Sequence, residues 1–147
     1  MIRPGEPVLT GGRRLVALGG LGALGGHGRL PAMVGGWALL APGGFYSASP
    51  TVGHAWVSLL PPYNEHLVCD VGALSLSLTV LLTAAAVVPT RSLVQTAAAA
   101  FMAYAIPHTI FHGLHLEGFP DADALWQTAG FAVQLLAAAL ALLTTLR

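Results

Sequence analysis

Four apolar runs, each long enough to cross a bilayer as a helix, set the limits on what this chain can fold into. They cover about residues 15–41, 67–88, 93–116 and 124–146. A hydrocarbon core of ~30 Å takes about 20 helical residues, and every run supplies that many. Pro42, Gly43 and Gly44 end the first run and open a loop to residue 66, and short turns separate the rest: Pro89 and Thr90, then the acidic stretch 117–123 with Gly118 and Pro120. Charged residues make up 8% of the chain, against roughly 25% in ordinary globular proteins. That is too little charge to cover a water-facing surface, so the runs read as membrane spans. Runs joined by such short turns pack as antiparallel neighbours. The expected fold is all-α, a transmembrane four-helix antiparallel bundle over 15–147, preceded by a polar tail over 1–14.

The first run is the least regular. Gly25, Gly26, His27, Gly28 and Arg29 interrupt it, and Pro31 follows. One reading is a single kinked span, with Arg29 buried or reaching to an interface. The other is a shorter span that begins near Arg29, with Pro31 tolerated in its first turn. The kinked span is preferred, because the shorter one leaves little more than three turns before Pro42. Gly22 and Gly26 have the spacing that lets helices approach closely in lipid. Arg13 and Arg14 ahead of an apolar run also match an export signal. Cleavage would destroy the first span, so they are read as an inner-side anchor.

Orientation follows from the arginines. Arg3, Arg13, Arg14, Arg91 and Arg147 fall on one side of a four-span arrangement, and Glu65, Glu117, Asp121 and Asp123 on the other. The positive-inside rule places both termini in the cytoplasm. The loop 42–66 then lies on the outer side, across the mouth of the bundle. Its Phe45, Tyr46, Trp56 and Tyr63 suit the membrane boundary, where aromatic rings with a polar tip collect. No basic cluster offers a nucleic-acid surface. The expected partners are the bilayer and, beside it, another membrane protein or a second copy.

Chemistry concentrates at the outer end. Three of the six histidines, His108, His112 and His115, fall within eight residues, and Tyr104 stands one turn earlier. On a helix these spacings share one face. Across the loop, His66 and Asp70 are four apart at the start of the second span, beside Glu65. Counting 1.5 Å per residue from the outer face, His66 matches the level of His115, and Asp70 that of His112. Pro107 removes a helix hydrogen bond beside the cluster. Imidazole and carboxylate are ligands for zinc and iron, and imidazole also for copper. A transition-metal or haem site built from Glu65, His66, Asp70, His108, His112 and His115 is the leading functional expectation. Two alternatives stand beside it. Polar side chains in lipid need hydrogen bonds, so the network could simply tie the helices together. The third reading is a proton relay or quinone-type pocket, since ionisable groups inside spans mark functional sites.

Other residues carry weaker expectations. His54 reads as an exposed loop residue and His27 as a turn residue. Gln127 and Gln134, seven apart on the fourth span, read as helix-to-helix hydrogen bonders. Cys69 has no partner cysteine and reads as a small packing residue. No catalytic motif is present: the histidines lack the glutamate of HExxH, and there is no GxSxG or P-loop.

Several pieces together resemble a known group: Gly36, Trp37 and Pro42 with Phe45 and Tyr46; Tyr63, Asn64, Glu65 and His66 followed by Asp70 and Gly72; and Pro107, His108, Phe111, His112 and His115. They resemble the small bacterial four-helix membrane proteins that are broadly DoxX-like, over roughly residues 30–145. The resemblance implies a multi-pass bundle in the bacterial plasma membrane. It also implies a redox connection, since some DoxX-like proteins associate with quinone or thiol oxidation. The Gly-rich first run departs from that plan.

Overall fold

The computed structural model describes residues 7–23, 29–51 and 53–146. Among them are six α-helices: α1 (Gly11–Ala23), α2 (Arg29–Leu40), α3 (Pro42–Ala48), α4 (Glu65–Val87), α5 (Arg91–Gly113) and α6 (Asp121–Leu143). A two-residue hairpin, β1 (Pro50–Thr51) with β2 (His54–Ala55), and a 3₁₀ turn at Trp56–Leu59 fill the loop between α3 and α4.

The helix ends follow from the turn chemistry. The Asn64 side chain caps α4 by accepting from the Leu67 N–H at 3.1 Å, and Glu65 in the first turn complements the helix dipole. Thr90 caps α5 in the same way, at 3.4 Å from Leu93 N. Pro89 cannot continue α4, so the chain reverses there. Asp121 and Asp123 occupy the first turn of α6. Hydroxyls within the apolar helices are satisfied by their own backbone: Ser75 donates to Val71 O and Thr79 to Ser75 O, each at 2.8 Å.

The helices α4 and α6 are long and apolar enough to cross a membrane. Their outward faces are apolar: Val80 and Val87 on α4, and Val133, Leu136, Leu140 and Leu143 on α6, are exposed. The bundle is therefore held by small buried residues on its inner faces. Ala85, Val94, Ala97, Phe101, Ala137, Ala138 and Ala141 form the main core.

Within the run 15–41 the described residues form helix on either side of 24–28. These are two half-length helices, α1 and α2, of 13 and 12 residues, with different partners. A Cβ on Gly20 would meet Ala137 O at 2.7 Å, so α1 lies backbone-close against the inner half of α6. A Cβ on Gly72 would meet Leu39 N at 2.8 Å and Gly35 O at 2.9 Å, so α2 lies just as close against the outer half of α4. Small residues permit such approach, and these glycines do the work expected of Gly22 and Gly26. Gly26 and His27 lie outside the described residues. Arg29 opens α2 and is exposed, with Pro31 in the first turn.

The polar tail is shorter than 1–14. Leu9 is buried and its N–H donates to Pro89 O at 2.9 Å, and Val8 bridges to Thr90. The helix α1 starts at Gly11. At the same end Gln95 Nε2 donates to Thr145 O at 3.3 Å. One end of the bundle therefore gathers the tail, the α4–α5 turn and the end of α6. The loop with α3 and the hairpin lies at the other end.

Candidate functional site

The outer end of the bundle does not assemble the expected six-residue cluster. On α4 the buried stripe runs Val68, Gly72, Ser75, Leu78, Leu82 and Ala85. His66 and Asp70 each stand two positions from a member of it, about 200° round the helix. They therefore point outward. Their side chains are 82% and 61% exposed and meet only each other, His66 Nε2 to Asp70 Oδ2 at 3.4 Å. Glu65 is exposed beside them. His115 lies past the end of α5, stacks on Phe111 at 4.1 Å between centroids, and bonds through Nδ1 to Phe111 O at 2.7 Å.

Apart from the exposed His66–Asp70 pair, His108 and His112 come together, with ring centroids 4.5 Å apart. Among the described residues no group of three or more His, Cys, Asp or Glu is placed to hold a metal ion. His66 and Asp70 stand near the level of His112, but α4 turns them away from it.

A different site is present at this level. His108 and His112 face inward with Tyr104, which stacks on His108 at 5.1 Å. Phe131 of α6 packs edge-on to His108 at 5.2 Å and against His112 at 5.1 Å. These rings form one wall of a chamber of about 330 Å³. Val68 and Val71 of α4 and Val34 of α2 line its other walls, and Trp56, Val57 and Leu60 of the loop line it from the outer end. That volume falls at the lower end of the range for small-molecule sites, which are largely apolar with a few placed polar groups.

The placed polar groups are specific. Among the described residues, Trp56 Nε1, His112 Nδ1, Gln127 Nε2 and Gln127 Oε1 are buried without a well-formed hydrogen bond, while Gln127 of α6 lies within side-chain hydrogen-bonding reach of His112 of α5. All three residues line this one chamber. Gln127 is 2% exposed. An unmet buried polar group costs about 1–3 kcal/mol.

No family model, curated protein or solved structure matches this chain. The likeness to DoxX-like proteins rests on its motifs alone.

Gln127 reaches from α6 towards the His112 side chain of α5, the helix-to-helix contact expected of it. Gln134 lines a second cavity of about 220 Å³ beneath the first. Asp123, Gln127, Phe131 and Gln134 follow one another at helical spacing on α6, a stripe visible in the sequence once that face is known to point inward. His54 is exposed, as expected, but it is also a partner. Its Nδ1 meets Asp123 Oδ1 at 2.8 Å, and Asp123 is 8% exposed. The pair pins the hairpin to the first turn of α6, next to the Trp56 side of the chamber. Sequence spacing of 69 residues hides such a contact.

Proposed function

We propose that this protein is an integral membrane helical bundle whose outer-end chamber binds a small lipid-soluble molecule with hydrogen-bonding groups, a quinone-type pocket. The observation that carries this reading is a chamber of about 330 Å³ walled mainly by apolar and aromatic side chains, with Trp56, His108, His112 and Gln127 as polar members of its lining. Stacked rings accept a flat ligand face, and offset or edge-on contacts of this kind stabilise by about 0.5–1.5 kcal/mol beyond area burial. Trp56 offers a donor, Gln127 a donor and an acceptor, and His112 Nδ1 either role. Such a set can meet a carbonyl or a hydroxyl on the same ligand. The setting is the bacterial plasma membrane with both termini inside, as Arg13, Arg14 and Arg91 at one end and Glu65, Glu117, Asp121 and Asp123 at the other imply.

The test is Gln127→Leu, read by two measurements on detergent-purified protein. If Gln127 serves a ligand more than it serves His112, the ligand-free variant is as stable as the unaltered bundle or more stable, by up to about 1 kcal/mol. Affinity for a tetrasubstituted benzoquinone falls about tenfold, equivalent to ~1.4 kcal/mol. A bundle-tying role requires the opposite sign, a loss of stability with nothing to bind. Destabilisation without ligand binding by the unaltered protein would sink the proposal.

A further inference from the structure

We infer that the ligand seats a neutral polar group beneath the chamber, in the deeper cavity among Tyr104, His108 and Gln134, with any apolar chain trailing out towards the lipid. This rests on the chamber reading above and adds which end of the ligand goes in first and what holds it.

The seat comes from polar side chains that are open and unused. Tyr104, His108 and Gln134 line the deeper cavity, and none of the three makes a hydrogen bond to any described residue. The buried atoms that are sealed without a well-formed bond belong to Trp56, His112 and Gln127 instead. The polar atoms of Tyr104, His108 and Gln134 therefore keep surface that a guest can meet. Ser75 also lines this cavity, but its hydroxyl is spent on Val71 O. Polar groups inside a span are expensive and mark functional sites, and three of them, from α5 and α6, line this one cavity.

The chemistry of the guest follows from those three groups. Tyr104 offers a hydroxyl donor, Gln134 a donor and an acceptor, and His108 either role. Among the described residues neither cavity is lined by Asp, Glu, Lys or Arg, so a charged head would be buried unpaired at high cost. A ring carbonyl or hydroxyl needs only what these side chains leave open. A flat face is available as well: Tyr104 stacks on His108 at 5.1 Å, and Phe131 stands edge-on to His108 at 5.2 Å. Val34, Tyr104, His108 and Phe131 line both cavities, so one ligand can reach from the chamber to the seat.

The direction comes from one stripe of α4. Leu67, Val71, Leu78 and Leu82 share a face of that helix, and they line the two cavities in order from the outer end inwards. Their exposure falls in the same order, 59%, 38%, 9% and 2%. The inner end is closed, where Leu82 joins Val94, Ala97 and Phe101 of α5 in one buried cluster. The outer end is open on the flank. A ligand that enters from lipid leads with the end that Tyr104, His108 and Gln134 hold, and a chain has room only behind it.

The experiment uses the full-length protein in detergent and calorimetry. The probes are tetramethylbenzoquinone, the tetramethylbenzene of the same outline without oxygens, and the quinone ring on a ten-carbon chain, with and without a bulky dye at the chain's end. Tyr104→Phe and Gln134→Leu each remove hydrogen bonding and nearly keep shape. In both, quinone affinity should fall about tenfold, the scale of one lost hydrogen bond, while the affinity of tetramethylbenzene holds. Thermal melting identifies a variant that has failed to fold, and the other then carries the comparison. Unchanged quinone affinity in the folded variants would mean that the deeper cavity holds only water, and overturns the seat. An equal loss for the ring without oxygens reports a change of shape rather than a lost bond, and overturns it too. The dye should leave the affinity of the chain-bearing ring within about threefold. Loss of binding on adding the dye would put the chain's end inside the protein and overturn the direction. If Gln127→Leu weakens quinone binding and neither variant here does, the chamber reading stands and this inference falls. If no probe binds, both fall.

Discussion

At the scale of single residues, the clearest contrast lies between His112 and His66. Both stand near the outer end of a long helix, at comparable depth. His112 lines the chamber beside His108 and within reach of Gln127, whereas His66 faces outward and touches only Asp70. Their mutational behaviour should differ accordingly. His66→Ala and Asp70→Ala should each change thermal stability by less than about 0.5 kcal/mol, because an exposed i, i+4 pair contributes little. A loss of several kcal/mol in either would mean that these two side chains join a buried network after all. His112→Ala should leave the bundle folded and weaken ring binding. The sequence made the inward stripe of Tyr104, His108 and His112 legible, because three polar aromatic residues at helical spacing have one face to share. It did not make Gln127 legible as a site residue, since an amide on an apolar helix has the same pattern whether it meets a neighbour or a cavity.

At the scale of elements, two contacts position the site. The first is the crossing of α2 and α4 at Gly35 and Gly72, which draws the outer half of α4 away from α5 and leaves room for the chamber. Gly72→Leu cannot be absorbed there without parting the helices, because even a Cβ would sit 2.8 Å from Leu39 N. Overpacking of this kind costs about 1–3 kcal/mol, to be measured as a loss of melting temperature in detergent, while Gly36→Ala, with nothing within 4 Å, serves as the neutral control. The second contact is His54 with Asp123, which fastens the hairpin across the outer end. Asp123→Asn removes the carboxylate but keeps an acceptor, and Asp123→Ala removes both. Amide hydrogens of the loop, such as that of Trp56, which donates to Ser49 O at 2.8 Å, should exchange faster in Asp123→Ala than in the unaltered chain, with Asp123→Asn between them. Equal exchange in all three would mean that the loop is held by Phe45 and its packing on Trp37 alone.

At the scale of the whole molecule, the proposal depends on which end faces out. The tail, the α4–α5 turn and the end of α6 gather at one end, and the loop lies at the other. With Cys69 replaced by Ala and a single cysteine introduced as Thr51→Cys, an impermeant thiol reagent should label intact cells. Tags at both termini should be cut by protease only after lysis. Labelling of Thr51→Cys only after lysis would reverse the orientation and put the chamber on the inner side. The same geometry bears on how a ligand arrives. Leu67 and Val71 line the chamber and are exposed on the flank of α4, so the apolar route into it runs from the lipid side.

The number of long helices after residue 64 and the turns that separate them were legible in the sequence alone. Apolar length, Pro89, Asn64, Thr90 and the acidic start of α6 are local signals, and local signals need no neighbour to be read. The break of the first run into α1 and α2 was half legible: the glycines marked the place, but that each half packs on a different helix depended on Gly20 meeting α6 and Gly35 meeting α4. The facing of α4 was decided only by the tertiary structure. That helix is apolar nearly all round, so its periodicity carries no phase, and the rotation that turns His66 and Asp70 outward is set by where Gly72 finds a backbone to lie against. A spacing of four places two side chains on one face; which way that face points depends on the packing of its neighbours.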